Sequence, residues 1–156
     1  MKSHIASAIV RQLNGIPNLY GIDPGGHTGL VHFSYGVLKE SRTIPLKDLY
    51  VRCSESPFRG IVVVEEFTVY PWMSNKLMFD RVPAARAIGA VCVAATGATV
   101  IFQTAQRAKT IKHEDLRSVF PKVRIGSAHE LDALRHVVVY ITSQMAGIDA
   151  TRRRVL

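Results

Sequence analysis

The feature that most constrains the fold is an apolar run at residues 61–64, which ends directly on two glutamates, Glu65 and Glu66. All four residues of the run are β-branched. Such a run is typical of a strand that is buried on both faces, and strands of this kind occur in parallel or mixed sheets covered by helices. The chain has 156 residues, which is enough for one domain with a single core. The sequence therefore predicts an α/β domain in which carboxylates follow a central strand.

The segments around this run predict the rest of a mixed sheet. We expect strands at residues 18–23, 29–35, 37–44, 61–67 and 98–103. The first three strands follow one another closely, which is typical of antiparallel neighbours. Helices are predicted near the N-terminus and at residues 46–53, 83–96, 105–119 and 127–145. The last helix begins with Ser-Ala-His-Glu, a capping-box pattern, and helix 83–96 is built largely of small residues.

The charge of the chain indicates a polyanionic partner. It has 20 Lys and Arg against 12 Asp and Glu, a formal net charge of +8. A small basic domain most often binds nucleic acid and less often a membrane surface. No apolar stretch is long enough for a membrane span. The two cysteines, Cys53 and Cys92, lack the spacing of metal ligands and predict reduced thiols in a cytoplasmic protein.

Four residues that can ligate a metal ion are predicted to meet at one edge of the sheet. Asp23 ends the first strand and Glu65 ends the apolar strand, while His129 and Asp132 share one face at the start of the last helix. Ligands of open α/β sheets bind beyond the strand ends, so we expect these side chains to converge. Three carboxylates and an imidazole packed together would repel one another, and the carboxylates would be poorly ionised without a cation. Their chemistry suits Mg²⁺ or Mn²⁺, and two such ions can promote phosphodiester cleavage.

Each of these residues also has an explanation that needs no metal. Asp23 precedes Pro-Gly-Gly and could be an ordinary turn residue. Glu65 and Glu66 could both be solvated at a strand exit, and His129 could support the helix N-terminus. Asp132 lies nearly opposite the apolar stripe of its helix and could face solvent. The set of residues in this order favours the metal site more than any single member does.

Five collinear stretches resemble the RuvC family of Holliday-junction resolvases, within the ribonuclease H-like superfamily. They are GIDPGGHTG (21–29), VVVEEF (62–67), AARAIGAVCVAA (84–95), AQRAKT (105–110) and HELDALRH (129–136). The first and last stretches are the most specific. The resemblance implies an α/β ribonuclease H-like fold with a five-stranded mixed sheet flanked by helices, strands 1–3 antiparallel and strands 4–5 parallel. The nuclease domain then spans residues 18–147, between an N-terminal extension (1–17) and a basic C-terminal tail (148–156).

The resemblance also implies an activity and its residues. The family resolves four-way DNA junctions in recombination and repair as a homodimer, by metal-dependent phosphodiester hydrolysis. The implied metal-binding and catalytic residues are Asp23, Glu65, His129 and Asp132. Glu66 is the alternative ligand to Glu65, and Lys109 matches a lysine near the scissile phosphate. The implied cofactors are two Mg²⁺ or Mn²⁺ ions per site, and any helicase partner stays open, as does a bacterial or phage origin.

Contacts to DNA are less sharply indicated. A family aromatic residue inserts at the junction centre, and Phe67, Tyr70 and Trp72 are the candidates here, although none aligns cleanly. Flaps and forks are therefore expected as further substrates. The basic residues expected near the site are Lys76, Arg81, Arg86, Arg107 and Lys112. Most of them would be ordinary solvated charges in any basic protein, and the aromatic segment could equally fold onto the core.

Two other functional classes stay open. The stretch DPGGHTG also resembles the phosphate loop of the sugar-kinase and actin superfamily. That architecture needs two such domains around a nucleotide, and the length of this chain supplies one. The second class is a non-catalytic relative that binds branched DNA. The presence of all four candidate ligands argues against this class.

Overall fold

The computed structural model describes residue 1, residues 3–67 and 82–147, and the backbone of residues 152–154. The described helices are α1 (Ser3–Asn14), α2 (Leu46–Glu55), α3 (Pro83–Ala94), α4 (Ala105–Ala108), α5 (His113–Val119) and α6 (Ala128–Met145). The described strands are β1 (Leu19–Asp23), β2 (His27–Ser34), β3 (Val37–Pro45), β4 (Ile61–Glu66), β5 (Thr99–Thr104) and β6 (Arg152–Arg154). In these ranges, no helix has both the length and the apolar character needed to cross a membrane.

These strands form one sheet in the order β3-β2-β1-β4-β5-β6. Strands β1, β2 and β3 pair antiparallel, whereas β1, β4 and β5 pair parallel. The predicted five-stranded mixed sheet is thereby confirmed. The short strand β6, in the segment predicted as a basic tail, adds to the edge by pairing antiparallel with β5.

The alternation of β4 explains its continuous apolar run. Val63 packs into a core layer formed by the sheet with α1, α5 and α6. Val62 and Val64 point to the other face and pack in a second layer beneath α2 and α3. All three valines are fully buried, so β4 needs apolar residues at successive positions. Helix α1, within the predicted N-terminal extension, also belongs to the core, because Ile9 and Leu13 are fully buried there.

The polar region 105–119, predicted as one helix, consists of α4 and α5 with a break between them. Two side chains favour the break. The Thr110 hydroxyl donates to the Arg107 carbonyl at 2.7 Å, which competes with continuation of the helix. The Asp115 carboxylate accepts the Lys112 backbone N–H at 3.0 Å and thereby starts a new helix. The segment 109–112 consequently forms the connection that follows α4.

Candidate active site

Asp23 and Glu65 lie side by side at the ends of two parallel strands. Ile22 pairs with Val64, and Asp23 and Glu65 are the next residue on each strand. Because side chains alternate along a strand, both carboxylates point to the sheet face covered by α6. Glu66 points to the opposite face, beneath which α3 packs. The structure therefore brings Glu65, and not Glu66, together with Asp23.

Two glycines allow α6 to lie unusually close to this part of the sheet. A Cβ at Gly21 of β1 would overlap the carbonyl oxygen of Ala133, and a Cβ at Gly29 of β2 would overlap that of His129. Any side chain at either position would push the helix away from the sheet. The close packing places the first turn of α6 above the end of β1, where Asp23 is located.

The N-terminus of α6 is also tied to β3. Ser127 is the N-cap and accepts a hydrogen bond from the Glu130 backbone N–H at 3.1 Å, which is the serine half of the predicted capping box. The Glu130 carboxylate is 7% exposed and accepts hydrogen bonds from the Ser41 hydroxyl at 2.8 Å and from the Gly126 N–H at 3.2 Å. Glu130 thus fixes the helix start rather than facing the candidate site.

His129 contacts Asp23 directly. Its Nδ1 lies 2.8 Å from Asp23 Oδ2, and the imidazole donates this hydrogen bond to the carboxylate. Burial raises the pKa of Asp23, and the negative charges of Glu65 and Asp132 raise it further, while the hydrogen bond from His129 lowers it. A bound cation would stabilise a partly buried carboxylate that has two like charges nearby.

Asp132 is held by the neighbouring turn of its own helix. Arg135 Nη1 lies 2.5 Å from Asp132 Oδ1, and Arg135 Nε donates to the carbonyl of Ile111 at 3.0 Å. The guanidinium therefore links Asp132 to the connection between α4 and α5. Asp132 keeps 35% of its side chain exposed, so it is neither buried in the core nor fully solvated.

Glu65 contacts a histidine that the sequence did not indicate. His136 Nε2 lies 2.9 Å from Glu65 Oε2, and His136 Nδ1 lies 3.0 Å from Gln103 Oε1. Gln103 is the register partner of Glu65 on β5 and points to the same face. Asp23, Glu65 and Gln103 therefore lie at or next to the ends of three adjacent parallel strands beneath α6.

The four predicted ligands have the donor chemistry for Mg²⁺ or Mn²⁺, and among these four only Asp23 and His129 contact each other. Within the ranges that the structure describes, no three His, Cys, Asp or Glu side chains are close enough together to hold an ion. In the same ranges, each ligand uses one atom for an intramolecular contact and keeps a second donor atom available. The available atoms are Asp23 Oδ1, Glu65 Oε1, His129 Nε2 and Asp132 Oδ2. The residues therefore fit the predicted metal by their chemistry.

The basic residues of the AQRAKT stretch follow β5 at the same end of the sheet. Arg107 and Lys109 are exposed on α4 and at its C-terminus, and Lys112 is exposed before α5. Arg86 lies instead beneath the other face of the sheet, on α3. Its Nε donates to the Tyr50 hydroxyl at 3.0 Å, so it is not part of the Asp23 site.

The predicted aromatic and basic contacts of residues 67–81 are only partly described. Phe67 follows β4 directly and is partly exposed. Four of the predicted DNA contacts lie outside the described residues; they are Tyr70, Trp72, Lys76 and Arg81.

The fold of this chain is similar to that of proteins with solved structures. Neither the family profiles nor the curated proteins contain a match to the sequence. The structure is similar to Thermus thermophilus RuvC, with a TM-score of 0.62 and 22% sequence identity, over 88% of this chain and 99% of that one. A second structure, T. thermophilus RuvC in complex with a Holliday junction substrate, gives a TM-score of 0.63 at 20% identity over the same shares. The chain therefore has the ribonuclease H-like fold of RuvC, as the resemblance predicted.

Proposed function

We propose that this protein is a metal-dependent endonuclease that cuts four-way DNA junctions. The observation that carries the proposal is the meeting of Asp23, Glu65 and the start of α6 at one edge of a RuvC-like sheet. The basic charge of the chain, +8, supports a nucleic-acid substrate. The similar T. thermophilus structure with a Holliday junction substrate supports the choice of a branched DNA.

The proposed metal ligands are Asp23, Glu65, His129 and Asp132. Bound Mg²⁺ or Mn²⁺, in a pair, would supply an activated water and stabilise the leaving oxygen of the phosphodiester. The protein's own contribution is to hold these four donors in place. The hydrogen bond from Nδ1 to Asp23 orients the His129 ring, so that Nε2 is the nitrogen left to ligate an ion. Arg135 and His136 hold one oxygen each of Asp132 and Glu65.

We further propose that the exposed cations after β5 bind the DNA backbone. Arg107 lies on α4, and Lys109 and Lys112 lie on the connection that Arg135 ties to Asp132 through Ile111. Lys109 is the proposed contact near the scissile phosphate. Phosphate contacts by such groups make DNA binding weaken as the salt concentration rises. On duplex DNA, the logarithm of the binding constant falls with the logarithm of the salt concentration with a slope of about −0.9 per contact. Loss of Lys109 should therefore reduce both cleavage and the salt dependence of binding.

The proposed enzyme acts as a homodimer in the cytoplasm. Two active sites are needed for paired cuts in a four-way junction, and α3 offers a surface for self-association. Gly89 has open space around it, and Val93 is 77% exposed on the same helix. A Val93→Glu substitution should therefore favour monomers, as measured by sedimentation at micromolar concentration. A wild-type protein that sediments only as a monomer would contradict the paired arrangement.

The substrate is tested by offering the purified protein several labelled DNAs with Mg²⁺ or Mn²⁺. We expect the four-way junction to be cut faster than a linear duplex. Equal or faster cutting of flaps and forks would indicate a broader branched-DNA nuclease. Binding of junctions without any cutting would indicate the non-catalytic class.

A further inference from the structure

We propose that His136, held in turn by Gln103, is a positioning residue for Glu65. The inference rests on the proposed function, because it assumes that Glu65 ligates the metal. It goes beyond the four proposed ligands by assigning a task to two buried polar residues. His136 lies on α6, one turn after Asp132, and Gln103 lies beside Glu65 on β5.

His136 and Gln103 are both buried in a largely apolar layer. His136 is 0% exposed and Gln103 is 2% exposed, in a layer otherwise lined by Val63, Ile101 and Val137. Removing an imidazole and an amide from water is unfavourable unless their polar atoms are hydrogen bonded. An apolar side chain at position 136 would fill this layer without that cost. The imidazole is therefore explained by its polar contacts rather than by packing.

The donor and acceptor atoms around the His136 ring determine the direction of its hydrogen bonds. Both ring nitrogens of His136 face oxygens, Glu65 Oε2 at 2.9 Å and Gln103 Oε1 at 3.0 Å. Gln103 Nε2 is buried and lacks a partner among the described residues. Turning the Gln103 amide by half a rotation places its NH₂ against Nδ1. In that orientation Gln103 donates to His136 Nδ1, and His136 Nε2–H donates to Glu65 Oε2.

This chain of contacts selects one oxygen of Glu65. With Oε2 held by His136, the carboxylate cannot rotate freely, and Oε1 is the oxygen left for an ion. The Glu65 side chain is 26% exposed, so it remains accessible from the site. Groups that orient a ligating carboxylate typically improve metal affinity by about 10- to 100-fold. Because α6 carries Asp132 as well as His136, the same helix fixes ligands on two elements.

The test measures Mn²⁺ binding to the DNA-free protein, by electron paramagnetic resonance and by calorimetry. His136→Leu should weaken Mn²⁺ binding by about 10- to 100-fold. His136→Gln should bind within about threefold of wild type, because its amide can place an N–H near the position of Nε2. Ile141→Ala is the matched control. It opens a cavity at a fully buried site further along α6, and it should leave Mn²⁺ affinity unchanged.

Unchanged affinity in a folded His136→Leu variant would overturn the inference, as would an equal loss in Ile141→Ala. If His136→Leu does not fold, the comparison moves to His136→Gln against His136→Asn. The shorter amide cannot reach Glu65, so the Asn variant should bind Mn²⁺ more weakly than the Gln variant, and equal affinities would overturn the inference. Wild-type protein that binds no Mn²⁺ would instead contradict the proposed metal site itself, together with this role.

Discussion

Gly29 of β2 lies directly beneath the carbonyl oxygen of His129, so closely that a Cβ at this position would overlap that oxygen. Gly29 is also the register partner of Asp23 across β1 and β2. Gly29 therefore lies beside Asp23 in the sheet and also determines how closely His129, which hydrogen bonds to Asp23, approaches the sheet. The geometry of the candidate site depends on this close approach.

A Gly29→Ala substitution should misplace the start of α6. Overpacking of this kind typically costs about 1–3 kcal/mol in the free energy of unfolding. Displacement of His129 and Asp132 by an ångström should lower cleavage by about 100-fold. Chemical denaturation and single-turnover cleavage of a labelled junction measure the two effects.

Gly89→Ala is the matched control for stability. Gly89 lies in α3 with nothing within 4 Å of a built Cβ, so alanine should raise helix stability by about 0.5–1 kcal/mol. Equal stability of the Gly29 and Gly89 variants would show that the approach of α6 is not limited by Gly29.

Asp23→Asn should separate stability from activity. Burial and the charges of Glu65 and Asp132 raise the pKa of Asp23, so its ionised form is unfavourable in the metal-free fold. The neutral amide relieves this cost. Asp23→Asn should therefore unfold at no lower denaturant concentration than wild type at about pH 8 without metal, while cleavage falls to background.

Asp48→Asn provides the opposite pattern for comparison. Asp48 is an exposed acid in the first turn of α2, where its charge favours the helix dipole. Its loss should cost about 0.5 kcal/mol and leave cleavage intact. A marked destabilisation of Asp23→Asn in metal-free buffer would contradict the electrostatic description of the site.

Substitution of the two adjacent glutamates tests which sheet face carries the site. Glu65→Gln should abolish cleavage and weaken Mn²⁺ binding, because Glu65 faces α6 with Asp23. Glu66→Gln should retain both, since Glu66 pairs with Thr104 and points to the other face. Inactivity confined to the Glu66 variant would reverse the assignment.

The stability of the fold should fall in mild acid because of His32. Its ring stacks on Tyr20 with centroids 4.1 Å apart, and its Nε2 lies 3.0 Å from Asn18 Oδ1. Burial lowers the pKa of His32. Of the nearby charges, Arg52 and Lys39 lower it further, while Glu40 opposes them.

A lowered pKa in the fold means that the unfolded chain takes up the proton first. His32 therefore destabilises the fold progressively as pH falls below its unfolded pKa of about 6.5. His32→Gln removes this titration. Between about pH 7.5 and pH 5.5, the free energy of unfolding of wild type should fall relative to that of the variant. The fall should be up to about 1.4 kcal/mol for each unit by which folding lowers the pKa of His32. A difference that does not change with pH would contradict the lowered pKa.

The central strands could be predicted from sequence because their patterns are local. The apolar run of β4 and the antiparallel spacing of β1 to β3 correspond to elements of the structure. The placement of His129 and Asp132 on one helix face follows from their spacing, and in the structure His129 contacts Asp23 while Asp132 lies near enough to raise the pKa of Asp23. Asp23 and Glu65 were predictable because each follows an apolar strand run.

The supporting residues could not be predicted because they depend on register and depth. α6 is buried over most of its circumference, from Ala133 to Ile141, so an apolar stripe does not single out His136 as buried. Its contact with Gln103 requires knowing which residue of β5 lies beside Glu65. Arg135 likewise reaches Ile111, 24 residues away, only in the folded chain. The one indication in the sequence was Gln103, a polar residue near the end of the predicted strand β5.

Metal-dependent cleavage of a four-way junction distinguishes the proposed nuclease from a protein that only binds branched DNA. Wild type and Asp23→Asn are each given labelled junction, flap, fork and linear duplex, with Mg²⁺, with Mn²⁺ and with chelator. We expect wild type to cut the junction only with metal, and Asp23→Asn to bind the junction without cutting it. Failure of folded, DNA-binding wild-type protein to cut any branched substrate with either metal would show that the protein is not a junction-cutting nuclease.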